Sequence, residues 1–166
     1  MKPPASAQGL KQVGYFDCPG GGQVVVDDNV AYIAHMKAPH GTSVVDVSDP
    51  AAPRQLATLE VPAGTHSHKV RAANGLMLVN RERQPAHQPA PGTVGGLGIY
   101  DVSNPSRPRE ITFWQCGGAG VHRFTFDGRY AYISPEMDGY VGNIVMILDL
   151  ANPARPLEIG RWRRQG

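Results

Sequence analysis

Short runs of alternating apolar and polar residues fill this chain, and glycine, proline, asparagine or aspartate bounds each run. Runs such as 30–34, 76–79 and 130–133 are rich in β-branched, aromatic and aliphatic residues, which is typical of strands. No segment keeps an apolar period of about 3.6 residues, so the pattern predicts no helix. The chain is therefore expected to be all-β, with strands joined by tight turns.

One phrase occurs three times, as Asp46-Val-Ser-Asp-Pro50, Asp101-Val-Ser-Asn-Pro105 and Asp149-Leu-Ala-Asn-Pro153. Each copy stands between two strand-like runs, and a further pair of runs precedes it. In two units that pair is joined by Asn74-Gly75 or Asp127-Gly128, sequences that favour two-residue hairpin turns. The copies begin 55 and 48 residues apart (101−46 and 149−101). Recurrence at such a period is the signature of propeller blades or solenoid units. Because turn chemistry explains the repeated aspartates, we interpret them as structural.

The repeat predicts a partial β-propeller of three four-stranded antiparallel blades, with strands a to d running from the channel outwards. The whole chain, 1–166, is taken as one propeller segment, with blades at about 22–62, 66–116 and 120–164. Residues 10–17 match a further copy of strand d. They are predicted to form one extra N-terminal strand, the outer strand of a preceding blade.

Composition and charge exclude several classes of partner. The 20 glycines and 15 prolines suit a turn-rich β protein, and a net charge of +2 is too small to indicate a nucleic acid partner. No apolar run approaches the length of a membrane span, and no apolar leader segment is visible near Met1, so a cytoplasmic protein without a membrane partner is expected. Cys18 and Cys116 fall two units apart, so we expect no disulfide between them.

The repeated Asp-Val-Ser-Asp-Pro phrases, preceded by apolar runs, resemble those of the bacterial LVIVD-repeat β-propeller proteins. The stretches 65–70, 121–133 and 141–148 are similar to one uncharacterised subgroup of that family. The resemblance runs from about Gln12 to Trp162 and implies a propeller fold, but it implies no single activity. Members usually carry enough repeats to close a ring, so this chain resembles a partial copy.

Three blades leave two apolar faces without a neighbouring blade. Either the sequence is part of a longer reading frame, or copies of the chain associate through these open faces. The side chains expected on the open faces include Val25, Tyr32, Val145 and Ile147.

Aligning the three units on strand b places His68 and His122 at the same point of consecutive units, where strand a begins. Equivalent points of neighbouring blades converge towards the channel, so we expect these two imidazoles to approach each other. His66 lies two residues before His68, on the same side of an extended segment. All six histidines of the chain map to this one face, the channel mouth.

Convergent imidazoles are natural ligands for Zn, Cu or Fe, so His68, His122 and His66 are the predicted metal ligands. Glu136, in the loop after strand b, is the predicted catalytic carboxylate, which could bind the metal, orient a histidine or act as a base. Alternatively, the histidines recur only because the units recur, and each bonds a loop carbonyl. That structural role is favoured for the remaining histidines, His35, His40 and His87.

Three functions remain open from the sequence. The first is a metal-dependent enzyme, an oxidoreductase or hydrolase, that acts on a small molecule in the channel. The second is a non-catalytic propeller that binds a partner through its b–c and d–a loops. The third is a fragment without independent function. The long loop 84–96, rich in proline and glycine, is either a lid over the mouth or a surface insertion.

Overall fold

The structure is a computed structural model, and it describes residues 8–84 and 89–163. Within these residues no helix is long and apolar enough to cross a membrane. The described residues form strands β1 (Gly21–Asp27), β2 (Val30–His35), β3 (His40–Asp46), β4 (Arg54–Glu60), β5 (Thr65–His66), β6 (Val70–Ala73), β7 (Leu76–Arg83), β8 (Gly96–Asp101), β9 (Arg109–Gln115), β10 (Gly120–Phe126), β11 (Tyr130–Glu136), β12 (Val145–Asp149) and β13 (Leu157–Trp162).

The strands form three successive four-stranded antiparallel blades. Strands β1 to β4 make the first blade, β6 to β9 the second and β10 to β13 the third, and each pairs with its neighbours in chain order. The second and third blades are joined at one rung, where Gly120 of β10 pairs with Glu82 of β7. The predicted all-β, partial propeller of three four-stranded blades is therefore confirmed.

The extra N-terminal strand predicted at residues 10–17 does not form, and the first strand begins at Gly21. An outer strand needs strand c of its own blade as a hydrogen-bonding partner, and none of the described strands pairs with these residues. The segment instead crosses the first blade. A side chain at Gly14 would lie 2.0 Å from the Pro50 carbonyl oxygen, and the Gly20 carbonyl accepts a hydrogen bond from His35 Nδ1 at 3.0 Å.

The turns follow the predicted chemistry. Asn74 and Gly75 both have positive φ, 54° and 72°, as a two-residue hairpin turn of this type requires. The carboxylate of Asp46 accepts hydrogen bonds from the Ser48 amide and hydroxyl, and Arg54 donates to it at 2.9 Å. Asp101 repeats this arrangement with its own serine and arginine. These hydrogen bonds, first of all those from Ser48, lower the pKa of Asp46 below its ordinary value.

The hydrophobic core lies between blades, because each blade is a single sheet whose two faces both need cover. One cluster joins the first blade to the second and includes Tyr32 and Val44 on one side and Val70, Met77 and Val79 on the other. A second cluster joins the second blade to the third and includes Leu78, Leu97, Ile99, Val121, Phe124, Ile133, Met146 and Leu148.

Candidate metal centre

Glu82, near the end of β7, is the centre of a cluster at the channel mouth. The short strand β5 pairs with this end of β7, so that His66 lies directly opposite Glu82. On the other side β10 pairs with β7 at Gly120, two residues before His122. Because side chains two apart on an extended chain point the same way, β5 and β10 bring imidazoles to Glu82 from both sides.

The three predicted histidines lie together. His66 Nε2 donates a hydrogen bond to Glu82 Oε2 at 2.6 Å, and His122 Nδ1 lies 3.1 Å from both oxygens of the same carboxylate. The ring centroids of His66 and His68 are 4.3 Å apart, and those of His68 and His122 are 5.4 Å apart. The expected approach of His68 to His122 is therefore observed, whereas their role as ligands stays a prediction.

Three of these residues have the geometry of a metal site. Each of His66, His68 and Glu82 offers a ligand atom, and the three atoms all lie within 4.8 Å of one another. Both histidines are buried, so their positions are fixed by packing rather than by a mobile loop. Two imidazoles and one carboxylate are a donor set that suits Zn²⁺ or Fe²⁺.

A buried amide fixes the orientation of His68. The Lys69 amide donates to Asn80 Oδ1 at 2.8 Å, and Asn80 Nδ2 donates to the Val121 carbonyl at 2.9 Å. This orientation turns the amide nitrogen of Asn80 towards His68 Nδ1, which accepts a longer hydrogen bond of 3.4 Å. A neutral imidazole that accepts at Nδ1 carries its proton on Nε2.

Burial and neighbouring charge set the protonation of the cluster. Burial, followed by electrostatic repulsion from His66 and Lys69, lowers the pKa of His68 to about 4, so this ring is uncharged at neutral pH. Burial alone would raise the pKa of Glu82, but the hydrogen bonds from His66 and His122 outweigh it and hold that pKa below its ordinary value. The mouth therefore presents one carboxylate among imidazoles.

The first blade has no histidine at this position for a steric reason. Gly22 is the residue equivalent to His68 and His122, and its backbone packs directly on the second blade. A Cβ at Gly22 would lie 2.6 Å from the carbonyl oxygen of His68. The Gln23 amide also donates to that carbonyl at 3.0 Å, which fixes the first blade against the second.

Glu136, the predicted catalytic carboxylate, lies outside the cluster. It ends β11 opposite Gly120, so one whole strand separates it from Glu82, and its side chain is exposed. It borders a cleft of about 380 Å³ together with Arg83, Asp138 and Tyr140. The catalytic role of Glu136 stays a prediction.

Glu82 is the residue that sequence reasoning missed, because its position in the repeat does not distinguish it from Glu136. Both glutamates occupy the same position of strand b, four residues after the equivalent Leu78 and Tyr132. Only Glu82 has a histidine opposite, because the residue equivalent to His66 in the third blade is Gly120. The pairing of β5 with β7 is therefore what separates the two carboxylates.

Among the residues that the structure describes, His35, His40 and the two cysteines contribute no ligand to this cluster. His35 is fully buried and bonds the Gly20 carbonyl and, at 2.8 Å, Ser43 Oγ, which is the predicted structural role. His40 contacts only the edge of the His35 ring among the described aromatic contacts. His87 and part of the loop 84–96 lie outside the described residues. Both cysteines are free, and burial raises the pKa of the Cys116 thiol.

Comparison with known proteins establishes the family. The family model described as LVIVD repeat matches residues 21–58, 93–113 and 125–163, which together are more than half of the chain. The chain belongs to the LVIVD-repeat family. No curated protein matches it.

The LVIVD matches and the cluster occupy different parts of the chain. His66, His68 and Glu82 lie in the interval between the first and second matched segments, and His122 lies in the interval between the second and third. The LVIVD pattern therefore accounts for the blades. The chemistry of the mouth comes from residues that the repeat itself does not specify.

Proposed function

We propose that this LVIVD-repeat protein binds a divalent transition metal at the channel mouth and uses it for chemistry on a small molecule. The observation that carries the proposal is the convergence of ligand atoms from His66, His68 and Glu82 within 4.8 Å. His122 is the fourth candidate ligand, because its ring already contacts the Glu82 carboxylate. Zn²⁺ and Fe²⁺ fit this donor set best, and Cu²⁺ is the further candidate.

Metal binding would replace hydrogen bonds that the cluster now makes. The proton shared by His66 Nε2 and Glu82 would be released when the metal takes its place, as ligands must lose their protons. The bond from Asn80 to His68 is the longest of the network, so its loss would cost least. Gln84 donates a hydrogen bond to His66 Nδ1, and rotation of its amide would let its oxygen accept a hydrogen bond from that nitrogen instead.

The neighbouring cleft supplies a place for a substrate. It lies across β10 from Glu82 and is bordered by one basic residue, Arg83, and two acidic residues, Glu136 and Asp138. A small molecule bound there would contact Arg83 and Glu136, and Glu136 would then serve as a base or proton donor. A metal-bound water activated by the ion is the reagent that the centre would supply.

One observation favours the alternative, a non-catalytic propeller that binds a partner through its loops. Both ring nitrogens of His66 already have hydrogen-bonding partners within the chain, Glu82 and Gln84. A cluster that is satisfied in this way also serves simply to hold β5 against β7. Metal binding separates the two functions.

The test is calorimetric titration of chelator-treated protein with Zn²⁺, and with Fe²⁺ in the absence of oxygen. The proposal predicts one ion per chain and an affinity at least about tenfold weaker in Glu82→Gln. The matched control is Glu136→Gln, the equivalent carboxylate of the next blade, which should bind the ion as the wild type does. Equal affinities of the wild type and Glu82→Gln would refute the metal centre and leave the structural role.

A further inference from the structure

The two ends of the blade array expose residues whose equivalents are buried inside it. Tyr32 and Leu78 occupy the same position of strand b in the first two blades, with 3% and 0% of their surface exposed, whereas the third member, Tyr132, is 39% exposed. On strand c, Val145 is 41% exposed, whereas its equivalents Thr42 and Leu97 are buried. On strand d, Trp162 is 66% exposed, whereas its equivalents Leu59 and Trp114 are partly buried. We call this surface of the third blade the forward face.

At the opposite end of the array, residues of the first blade are exposed although their equivalents in the other two blades are buried. Val70 and Phe124 occupy equivalent positions in strand a of the second and third blades and are buried against the preceding blade. Their equivalent in the first blade, Val24, is 60% exposed, and Val26 beside it is 57% exposed. We call this surface of the first blade the rear face. The segment 8–20 crosses the first blade but leaves both valines open.

Val25 and Tyr32 were expected on the open face of the first blade, and this expectation is wrong. Both side chains pack against the second blade, and the neighbouring Val24 and Val26 face outwards instead. Since successive side chains of a strand point to opposite faces, an error of one residue exchanges the two faces.

We propose that the forward face of one copy of this chain packs on the rear face of a second copy. The warrant is that both internal interfaces of the chain join a forward face to a rear face. In each of them the Tyr32 or Leu78 position packs against the cluster that contains Val70 or Phe124. The exposed forward and rear faces consist of the same strand positions as these two internal interfaces. A second copy would therefore pack on them with the geometry that the chain already uses twice.

The contact is head-to-tail, so a single contact leaves the rear face of one copy and the forward face of the other open. Two copies close a ring if their blades complete the circle, and six blades are within the range of four to eight that propellers use. If the rotation does not close, the same contact gives longer oligomers. A symmetric contact of two forward faces is a different arrangement, and the following experiment separates it.

The experiment is sedimentation velocity of the full chain over a wide range of concentration. The proposal predicts a mass of twice 17.8 kDa, or a ladder of its multiples. Tyr132→Glu and Val24→Glu, each alone, should weaken association at least about 30-fold, as loss of a central interface residue does. Met36→Glu is the matched control, since Met36 is an exposed apolar residue just after β2 and belongs to neither face, and it should associate like the wild type.

Mixing the two variants decides the geometry. Tyr132→Glu retains an intact rear face and Val24→Glu an intact forward face, so an equimolar mixture should regain one contact and form a 1:1 complex. Association that Val24→Glu leaves unchanged would show a symmetric contact of forward faces and overturn the proposal. A monomer at every concentration of the wild type would overturn it as well.

Discussion

Replacing Asn80 with alanine should destabilise the protein strongly, although this residue lies outside the segments that match the LVIVD repeat. Its side chain is 1% exposed and makes three hydrogen bonds, to the Lys69 amide at 2.8 Å, the Val121 carbonyl at 2.9 Å and His68 Nδ1 at 3.4 Å. Lys69 and His68 belong to the same blade as Asn80, and Val121 belongs to the next. The amide therefore joins the second blade to the third beside the cluster.

The expected magnitude follows from the partners that alanine would leave unpaired. A buried group left without its hydrogen bond costs about 1–3 kcal/mol, so two strong bonds and one weak bond predict a loss of about 3 kcal/mol in the free energy of unfolding. Asn143→Ala is the matched control. Its exposed side chain makes one bond of 3.0 Å to the Ser134 carbonyl, and its loss should cost about 0.5 kcal/mol.

The assay is urea denaturation of both variants and the wild type, with the slope of the transition checked for constancy. A loss below about 1 kcal/mol in Asn80→Ala, or a loss equal to that of Asn143→Ala, would refute the reasoning. Nitrogen chemical shifts of His68 give a second readout. The wild-type ring should carry its proton on Nε2, and the alanine variant should lose this preference.

Two further predictions concern acid stability and backbone strain. Because the pKa of His68 is lowered to about 4 in the folded state from 6.5, the unfolded chain binds the proton first. The stabilisation from the neutral ring is present above pH 6.5 and is lost as the pH falls from there towards 4. Denaturation at several pH values should therefore show a smaller decrease in the free energy of unfolding over this pH range in His68→Gln than in the wild type. Gly120 has a φ of +130°, and a Cβ there would lie 2.2 Å from the Arg81 carbonyl oxygen. Gly120→Ala should therefore lower the free energy of unfolding by at least about 3 kcal/mol, whereas Gly139→Ala, also at positive φ but in open space, should cost about 1 kcal/mol; equal losses in thermal or urea denaturation would contradict this.

Much of the fold was predictable because repeats and turns are local properties. The three Asp-x-Ser-x-Pro phrases and the Asn74-Gly75 turn specify strand ends and hairpins through contacts a few residues apart. The extra strand at 10–17 could not be judged in this way. Its sequence suits a strand, but a strand also needs a partner, and pairing is a property of the whole sheet.

The histidines of the site were predictable and its carboxylate was not. His68 and His122 occupy the same position in consecutive units, which is visible in the sequence. This position predicted that the two rings approach each other, as they do. The choice between Glu82 and Glu136 depended on the short strand β5, which places His66 opposite Glu82. A two-residue strand carries no pattern of its own, so its pairing is decided only when the blades pack.

The sequence by itself determined the number of blades, the positions of their turns and the end of the propeller at which the histidines gather. Each of these depends on spacing along the chain, and spacing is fixed before folding. The tertiary structure alone decided which side of β1 is open and which carboxylate the imidazoles share. Val24, Val25 and Val26 are all apolar, so alternation could not tell the two faces of β1 apart, and only packing against the second blade did.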